Sequence, residues 1–295
     1  MSLYKVDIRL VALDMDGTVL NSKKELTPRT RQAISRAIEA GIEVVPATGR
    51  PLSGIDESFR GIPGVRYAVT SNGASVYNLL DESRIFSDCF ESGHALEILP
   101  LLLPYNAVVG VQKDGKAYVQ RAQMEKYRQR VAPELTEYMA RTRIEVDDLL
   151  AHTKSEGGPV EKFSLYFFSV RERSRARKLL EKRTDVDVTS SMEQNLEINV
   201  PHANKGKALL QLAHILGIPP AGVMAVGDSG NDYEMIRDAG YGVAMGNAEE
   251  RVKQVAKTVT ASCDEDGAAL ALEDVLCRLP GSPYAKNAEK TEIKL

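Results

Sequence analysis

The sequence contains no tryptophan, and of its 295 residues only three are cysteine and four are histidine. The cysteines have no CxxC spacing, so they predict free thiols in a reducing compartment, with neither a disulfide framework nor a zinc site. The histidines are scattered, and none occurs in HExxH or at another metal-ligand spacing. We therefore expect no metal centre built from cysteine or histidine.

Long apolar runs and an excess of basic charge are also missing. The longest apolar run, residues 98–104, is far too short to cross a bilayer, and the first residues do not have the pattern of a secretory signal. Lysine plus arginine number 38 against 41 aspartate plus glutamate, which argues against a general nucleic-acid or anionic-membrane binder. We expect a cytoplasmic protein, a monomer or weak homodimer, with no nucleic-acid or membrane partner.

Short apolar runs that end in small and polar residues recur along the chain, as in the buried strands of a parallel sheet. The runs are residues 8–13, 42–45, 67–70, 223–226 and 241–245. Helical periodicity lies between them, for example over residues 204–216, where apolar residues recur on one side and Gly217 ends the segment. This alternation predicts a Rossmann-like α/β fold with a parallel sheet.

The middle of the chain has a different pattern, with predicted helices and partly antiparallel strands. Residues 108–119 predict a hairpin that turns at Asp114-Gly115. A helix is predicted over residues 131–138, and the aromatic residues of the predicted strand 163–170 favour a sheet core over a substrate platform. This part therefore reads as a second α/β domain inserted into the first.

The predicted domain organisation is discontinuous. We expect a core domain of residues 1–82 and 193–295, interrupted by an inserted α/β domain of residues 83–192. The chain length is compatible with about two domains. The sequence from Pro280 onward loses its apolar periodicity, so we expect a loose end there.

Polar residues follow the predicted strands at the edge where an open parallel sheet binds ligands. They are Asp14, Asp16, Thr48, Asn72, Asp228, Asn231 and Asp232. Carboxylates gathered at one edge repel each other by about 4 kcal/mol per pair at roughly 4 Å, unless some protonate or a cation bridges them. Hard oxygen donors without nearby histidine or cysteine favour Mg²⁺ as that cation.

The same edge has the parts of a phosphate site. Thr48 supplies a hydroxyl, and glycines in three of the loops, Gly17, Gly49 and Gly73, allow the backbone to approach a ligand closely. Lys205, at the start of a predicted helix, supplies a positive charge for a phosphate oxygen. The sequence therefore predicts a joint magnesium and phosphate site.

Four motifs, in their usual order, resemble those of the haloacid dehalogenase (HAD) superfamily. They are DMDGT at 14–18, Thr48 in ATGR, Lys205 in NKGKAL and GDSGND at 227–232. SNGA at 71–74 and the insert between the second and third motifs look like the Cof-type subfamily IIB, in which the insert is an α/β cap domain. The resemblance covers most of the chain. It implies a Mg²⁺-dependent phosphatase for a small phosphorylated metabolite, with sugar phosphates as the first expectation and pyridoxal phosphate or flavin mononucleotide as others.

The resemblance also implies roles for the residues that match the motifs. Asp14 would be the nucleophile that forms an aspartyl-phosphate, and Asp16 would be the general acid and then the base. Thr48 and Lys205 would bind the phosphoryl oxygens and offset the charge of the nucleophile.

The implied metal and substrate sites share residues. Asp14, the backbone carbonyl of Asp16, and Asp228 would hold Mg²⁺, and Asn231 and Asp232 would complete this site directly or through water. The implied substrate-binding residues are Thr48, Gly49, Arg50, Asn72, Lys205 and Asn231.

Plainer interpretations of the same residues stay open at this point. Thr48 and Asp232 could be helix N-caps, Asn72 a turn residue and Lys205 a surface lysine. Arg50 could form a salt bridge to the cap domain.

Two other functions also stay open. A sugar phosphomutase would use the same nucleophile but needs a second phosphate site, and the cap domain offers a loose supply of arginines for one. They are Arg121, Arg128, Arg130, Arg141 and Arg143. A non-catalytic ligand-binding protein on the same scaffold is the other alternative.

Overall fold

The computed structural model describes residues 7–130, 139–191 and 193–279 of the chain. The helix predicted over residues 131–138 and the loose end predicted from Pro280 lie outside the described residues. Within the described ranges, no helix combines the length and the apolarity needed to cross a bilayer.

Strands and helices alternate along most of the described chain. The strands are β1 (Leu10–Leu13), β2 (Glu43–Pro46), β3 (Tyr67–Thr70), β4 (Ser75–Asn78), β5 (Arg84–Ser87), β6 (Ala107–Lys113), β7 (Lys116–Gln120), β8 (Ile144–Val146), β9 (Lys162–Phe167), β10 (Asp187–Thr189), β11 (Asn195–Asn199), β12 (Val223–Gly227), β13 (Tyr241–Ala244) and β14 (Thr258–Val259). The α-helices include α1 (Pro28–Glu39), α2 (Glu57–Arg60), α3 (Ser92–Leu102), α4 (Arg121–Arg128), α5 (Leu149–Glu156), α6 (Val170–Leu180), α7 (Lys205–Ile215), α8 (Tyr233–Asp238), α9 (Glu250–Val255) and α10 (Gly267–Arg278).

One sheet, here called the core sheet, contains five parallel strands in the order β14-β13-β12-β1-β2. All residues of β1 and β12 are buried, which is why these strands appear in the sequence as continuous apolar runs. β3 continues the parallel arrangement beside β2 through a bridge between Ala47 and Val69. The predicted parallel α/β fold is confirmed.

Local signals in the sequence explain where the helices of this sheet begin. α1 follows Thr27, whose Oγ1 accepts a hydrogen bond from the backbone N of Thr30 at 3.1 Å, and Pro28 fits its first position. α7 follows Asn204, whose Oδ1 accepts from the backbone N of Lys207 at 2.8 Å. This cap places Lys205 in the first turn of α7.

A second sheet, here called the cap sheet, contains six strands in the order β10-β11-β9-β6-β7-β8. Its neighbours are antiparallel except for the parallel pair β7 and β8. β6 and β7 form the predicted hairpin, with φ angles of 48° at Asp114 and 72° at Gly115. The sheet has an apolar core of its own, which contains the buried rings of Phe90, Phe163 and Phe167.

The chain leaves the region of the core sheet, and later returns to it, at positions beyond the predicted boundaries at residues 82 and 193. β5 pairs with β4, and Phe86 packs against the apolar core of the first region, so that region extends to about Ser87. β11 pairs with β9 of the cap sheet, so residues 195–199 are not the resumption of the core that the sequence suggested. Strand pairing, which decides membership of a sheet, leaves no local mark in these short segments.

Candidate active site

Three carboxylates meet at the carboxyl edge of the core sheet. Asp14 directly follows β1 and Asp228 directly follows β12, and these strands are neighbours in the sheet. Asp232 ends the short 3₁₀ turn that leads into α8. Oxygen atoms of the three carboxylates lie within 4.8 Å of one another. The acidic residues expected to converge are therefore brought together.

Lys205 lies between two of these carboxylates and is fully buried. Its Nζ donates to Asp14 Oδ1 at 2.5 Å and to Asp232 Oδ1 at 2.7 Å. Burial alone would lower the pKa of Lys205, but the charges of Asp14 and Asp232 raise the pKa above its ordinary value. Lys205 is thus not a surface lysine but a fixed positive charge beside Asp14.

Asp14 remains short of positive charge despite this contact. Its burial and the charge of Asp232 raise the pKa of its carboxyl group well above the usual value, and Lys205 opposes this only in part. A further cation at this point would stabilise the ionised form, which is the form that can attack phosphorus.

Asp228 is held in place by two hydroxyl groups and a glycine. Thr18 Oγ1 donates to Asp228 Oδ1 at 3.0 Å, and Ser229 Oγ donates to Oδ2 at 3.1 Å. Burial, followed by the charge of Asp232, raises the pKa of Asp228 to about 6. Gly17 has a φ of +85°, and an added Cβ there would lie 2.7 Å from Asp228 Oδ2, so the first motif needs glycine at this position.

The side chain of Asp232 completes a capping box and also binds Lys205. Its Oδ2 accepts hydrogen bonds from the backbone N of Asp228 and of Ser229, each at 3.0 Å, as part of a capping box before α8. Ser229 is the N-cap residue of this box, and the side chain of Asp232 makes no capping hydrogen bond to α8, so the N-cap interpretation of Asp232 is wrong. Asp232 is completely buried, whereas Asp14 and Asp228 retain some exposure, so these two are the better placed carboxylates for a metal ion.

Asp16 lies at the mouth of the site, with 40% of its side chain exposed. Arg50 binds both of its oxygens, from Nε at 2.9 Å and from Nη2 at 2.8 Å, and Lys24 Nζ donates to Oδ1 at 2.9 Å. Burial would raise the pKa of Asp16, but Arg50 and Lys24 together outweigh it and lower the pKa. Arg50 thus pairs with an acidic residue of the core, and Lys24 is a contact that the sequence motifs did not indicate.

Thr48 and Asn72 lie side by side where β2 and β3 end. Thr48 Oγ1 accepts from the backbone N of Arg50 at 3.2 Å, and its carbonyl accepts from the backbone N of Asn72 at 3.1 Å. Asn72 Nδ2 donates to Glu197 Oε2 at 2.6 Å, and Asn72 Oδ1 accepts from Asn231 Nδ2 at 3.1 Å. Asn72 therefore links a predicted substrate residue to the cap sheet, which is more than a turn residue does.

A cavity of about 530 Å³ separates this edge of the core sheet from the cap sheet. The predicted site residues in its wall are Asp14, Asp16, Thr48, Gly49, Arg50 and Asn231. The cap side contributes Gln112, Arg141, Arg143, Lys162, Tyr166 and Glu197. Asn72 lines a neighbouring cavity of about 680 Å³ that shares Ser191, Ser229 and Asn231 with the first. Lys205 and Asp232 are connected to the first cavity through Asp14.

A buried ion pair of the cap sheet contributes to the site and was missed from the sequence. Lys162 Nζ lies 3.1 Å from Glu197 Oε2 and donates to the carbonyl of Gly49 at 2.5 Å. Both side chains are almost completely buried. Charged residues in short strands normally face water. This pair is buried because the core side of the cavity, including Gly49, packs against it, and the sequences of β9 and β11 alone do not indicate that packing.

The aromatic segment of β9 divides between core and cavity. Phe163 and Phe167 are buried in the cap core, as predicted. Tyr166 instead lines the cavity, and its hydroxyl accepts from Arg143 Nη2 at 3.3 Å. Tyr166 and Phe168 face the other side of the strand and pack against a second, smaller apolar cluster, so Tyr166 belongs both to that cluster and to the cavity wall.

The residues at the carboxyl edge fit a hard divalent cation. Three carboxylates crowd around one lysine, and burial raises the pKa of both Asp14 and Asp228. An all-oxygen donor set without histidine or cysteine is typical of Mg²⁺ sites. The raised pKa values mark a site with more negative charge than its own cations balance.

Comparison with known proteins gives consistent matches along the chain. Residues 11–272 match the model of the haloacid dehalogenase-like hydrolase family. Phosphatase YwpJ of Bacillus subtilis is 31% identical over 288 residues, which cover 91% of this chain and 100% of that protein. The 5-amino-6-(5-phospho-D-ribitylamino)uracil phosphatase YcsE of the same organism is 30% identical over 274 residues, covering 90% of this chain and 95% of that protein.

The fold also matches solved structures. A haloacid dehalogenase-like hydrolase from Bacillus subtilis has a TM-score of 0.77 and 28% sequence identity, and the match covers 90% of this chain and 99% of that chain. The similarity therefore extends over both the core sheet and the cap sheet.

Proposed function

The chain belongs to the haloacid dehalogenase-like hydrolases and is a phosphatase, and from this premise we propose that it hydrolyses small phosphorylated metabolites, sugar phosphates first among them, with Mg²⁺ and through a phosphoryl group carried on Asp14. The observation that supports this most directly is the position of Asp14. Its carboxylate lies at the end of a buried strand, touches Lys205, and opens into the cavity between the sheets.

In the first step, a carboxylate oxygen of Asp14 attacks the phosphorus atom and the bond from phosphorus to the ester oxygen breaks. Asp16 gives its proton to the leaving alkoxide, which departs as an alcohol. Arg50 and Lys24 hold Asp16 ionised in the absence of substrate. Asp16 must therefore loosen one of these contacts to carry a proton.

In the second step, Asp16 removes a proton from a water molecule, and the water oxygen attacks the phosphorus atom of the aspartyl-phosphate. The bond to Asp14 breaks, inorganic phosphate leaves, and both carboxyl groups return to their starting states. Lys205 and Thr48 offset the negative charge that develops on the phosphoryl oxygens. The wall of the cap sheet over the cavity limits the access of bulk water.

Mg²⁺ would be held by Asp14, Asp228 and the backbone carbonyl of Asp16, with Asn231 and Asp232 supporting this arrangement. When bound, it supplies positive charge to the transferring phosphoryl group. The crowding of three carboxylates supports this assignment.

The substrate class rests on the size of the cavity and on the relatives. About 530 Å³ suits a small metabolite. The relative named for 5-amino-6-(5-phospho-D-ribitylamino)uracil acts on a phosphate ester of a five-carbon polyol chain, which is chemically close to a sugar phosphate.

The nucleophile is tested with p-nitrophenyl phosphate, with Mg²⁺ and with excess EDTA. We expect Asp14→Asn to abolish turnover while the circular dichroism spectrum stays unchanged, and EDTA to abolish the activity of the unaltered protein. Asp238→Asn is the matched control. Asp238 is an exposed carboxylate of α8, and within the described residues its one salt bridge is to its neighbour Arg237. Full activity in Asp14→Asn would reject the mechanism.

The covalent intermediate is tested with Asp16→Asn and the same substrate. p-Nitrophenolate leaves without a proton, so Asp14 still reacts, but no base then activates water. We expect a burst close to one p-nitrophenolate per site followed by slow turnover. Absence of a burst together with unchanged steady turnover would contradict the role of Asp16. With a hexose phosphate as substrate, isomerised sugar in place of inorganic phosphate would identify a phosphomutase.

A further inference from the structure

A chain of hydrogen bonds runs from the cap sheet to the carboxyl edge of the core sheet. Glu197, on β11, accepts from Asn72 Nδ2 at 2.6 Å, and Asn72 Oδ1 accepts from Asn231 Nδ2 at 3.1 Å. Asn72 lies in the turn after β3, and Asn231 lies in the loop after β12 that also carries Asp228. The chain therefore connects a charged side chain of the cap sheet to the loop of a clustered carboxylate.

Protein groups surround both carboxylate oxygens of Glu197. Oε1 accepts from Ser191 Oγ at 3.1 Å and from Asn195 Nδ2 at 3.3 Å. Oε2 lies 3.1 Å from Lys162 Nζ and accepts from Asn72. Burial would raise the pKa of Glu197, but the charge of Lys162 and the hydrogen bond from Asn72 outweigh it and lower the pKa. Each oxygen thus has two protein donors, so Glu197 influences a substrate through the side chains that it holds.

The ionised carboxylate of Glu197 fixes the direction of this chain. A carboxylate only accepts hydrogen bonds, so the amide nitrogen of Asn72 must face it, and the oxygen of Asn72 then faces Asn231. Asn199 Oδ1 lies 3.3 Å from the same nitrogen and favours the same orientation, but it carries no charge. The charge of Glu197 therefore determines that Asn72 holds the amide nitrogen of Asn231 and not its oxygen.

Gly49 gives this contact the room that it needs. Its φ lies outside the left-handed region, so its backbone does not require glycine. A Cβ added to Gly49 would lie 2.7 Å from Asn72 Oδ1. It would also lie 3.3 Å from Glu197 Oε2 and from Lys162 Nζ, and Lys162 Nζ donates to the Gly49 carbonyl at 2.5 Å. The glycine of the ATGR segment therefore admits Asn72 and the ion pair of the cap sheet close to its Cα.

We propose that Glu197 is a positioning residue of the phosphatase reaction, which orients Asn72, and through it Asn231, when the cap sheet lies against the core sheet. The inference rests on the proposed function, because both asparagines are assigned there to substrate or metal binding. Lys162 supplies the charge that keeps Glu197 ionised in its buried position. Separation of the two sheets breaks the hydrogen bond between Glu197 and Asn72, so the amides are directed only while the cavity is closed.

The first test replaces the buried ion pair in two ways. Lys162→Met with Glu197→Met gives an apolar pair of similar size, a replacement that buried ion pairs often tolerate without loss of stability. Lys162→Met with Glu197→Gln restores a neutral acceptor for Asn72. With p-nitrophenyl phosphate and Mg²⁺, we expect the apolar pair to lower kcat/KM at least about tenfold, the factor that one hydrogen bond to a charged group gives. The glutamine should recover about half of this loss or more on a logarithmic scale, because a neutral hydrogen bond is weaker than a charged one.

The second test removes the amide through which Glu197 acts. Asn72→Gly fits the positive φ of this position. In that background the apolar pair and the glutamine pair should give equal kcat/KM, because neither has an amide to orient. Arg128→Met with Glu145→Met is the matched control, since this other ion pair joins α4 to β8 of the cap sheet outside the cavity wall. The control should leave kcat/KM unchanged in both backgrounds.

A spectrum recorded without Mg²⁺ or substrate tests the chain of hydrogen bonds directly. The side-chain NH₂ signals of Asn231 in a ¹H–¹⁵N correlation spectrum are assigned by their loss in Asn231→Ser. The apolar pair should shift these signals in the otherwise unaltered protein and should cause no further shift in Asn72→Gly. A merely structural role of Glu197 predicts no such dependence on Asn72.

The outcomes separate this inference from the proposed function. The positioning role is overturned by an apolar pair that matches or exceeds the glutamine pair in kcat/KM, or by a difference between them that persists in Asn72→Gly. Unshifted Asn231 signals also overturn it. In each case, hydrolysis of p-nitrophenyl phosphate by the unaltered protein leaves the phosphatase standing. If the unaltered protein hydrolyses no ester with Mg²⁺, the proposed function fails, and the spectrum without Mg²⁺ still decides on the chain of hydrogen bonds.

Discussion

Asp14 and Asp232 share one buried lysine beside Asp228, and the raised pKa values of Asp14 and Asp228 record the excess of negative charge. Lys205 Nζ lies 2.5 Å from Asp14 Oδ1 and 2.7 Å from Asp232 Oδ1, and it neutralises part of their negative charge. The pKa of Asp228 nevertheless rises from the ordinary 3.8 to about 6. A motif therefore does not fix the protonation state of its carboxylate, because that state depends on burial and on the charges nearby.

This shift predicts how stability depends on pH when Mg²⁺ is removed by a chelator. Between pH 3.8 and about 6 the folded protein binds more protons at Asp228 than the unfolded chain does. The free energy of unfolding should therefore decrease as pH rises through this window, by up to about 3 kcal/mol from this group. Mg²⁺ binds the ionised folded form, so it should raise the melting temperature near neutral pH and have little effect below the unfolded pKa.

Asp228→Asn separates this group from the other titrating residues. The variant should lose the share of the decrease that Asp228 contributes, while the raised pKa of Asp14 retains the rest, and it should lose most of the stabilisation by Mg²⁺. Thermal unfolding at several pH values, with Mg²⁺ and with EDTA, measures both effects. Equal stabilisation by Mg²⁺ in the variant and in the unaltered protein would show that Asp228 is not part of the metal site.

At the scale of elements, the turn after β3 carries strain where it meets the cap sheet. Ser71, Asn72 and Gly73 have φ angles of 53°, 61° and 92°. Glycine adopts this region freely and asparagine tolerates it, whereas most other residues pay about 1–2 kcal/mol there. The turn directs the amide of Asn72 toward Glu197. Backbone strain is often retained at functional sites for such an orientation.

Substituting Asn72 with alanine and with glycine separates backbone from side chain. Both variants lose the hydrogen bond to Glu197, but only alanine suffers from the positive φ, so Asn72→Ala should be less stable than Asn72→Gly by about 1 kcal/mol. Urea unfolding measures the difference. Asn78, in β4, serves as the control, because glycine is the less favourable residue in an ordinary strand and the order should reverse there. The same order at both positions would contradict this account of the turn.

The acidic cluster and the turn at Asn72 show what the sequence could and could not predict. Asp14 and Asp228 lie directly after buried strands of a parallel sheet, so their convergence follows from the topology alone. The partner of Asn72 is Glu197, which is 125 residues away and belongs to a strand of the other sheet. β11 was assigned to the wrong region for the same reason, since its membership depends on pairing with β9 and not on its own residues.

At the scale of the whole molecule, the core and the cap sheet meet through buried polar groups. The carbonyl of Gly115, in the β6–β7 turn, accepts from the backbone N of Ser53 at 2.8 Å. Glu161 is completely buried and accepts from Ser71 Oγ and from Tyr77 Oη, each at 2.6 Å. Water can replace such hydrogen bonds when the regions separate. A polar interface therefore suits a site that admits a substrate and then closes over it.

Gly115→Ala should weaken this closure. Gly115 has a φ of +72°, and an added Cβ would lie 2.9 Å from Leu52 Cβ in the core. The β6–β7 turn would then no longer fit against the residues around Leu52, and the cap residues of the cavity would shift relative to Asp14. A displacement of about 1 Å at a reacting centre lowers rates by up to about a hundredfold, so we expect kcat/KM to decrease at least tenfold.

Gly217→Ala is the matched control for the backbone part of this effect. Gly217 also has a positive φ, +67°, but an added Cβ would meet no heavy atom within 4 Å. Gly217→Ala should lower the free energy of unfolding by about 1 kcal/mol, and the positive φ of Gly115 should cost Gly115→Ala a similar amount. Gly217→Ala should leave kcat/KM unchanged. If the two variants lose stability equally and both keep full kcat/KM, the contact between the turn and Leu52 does not govern closure.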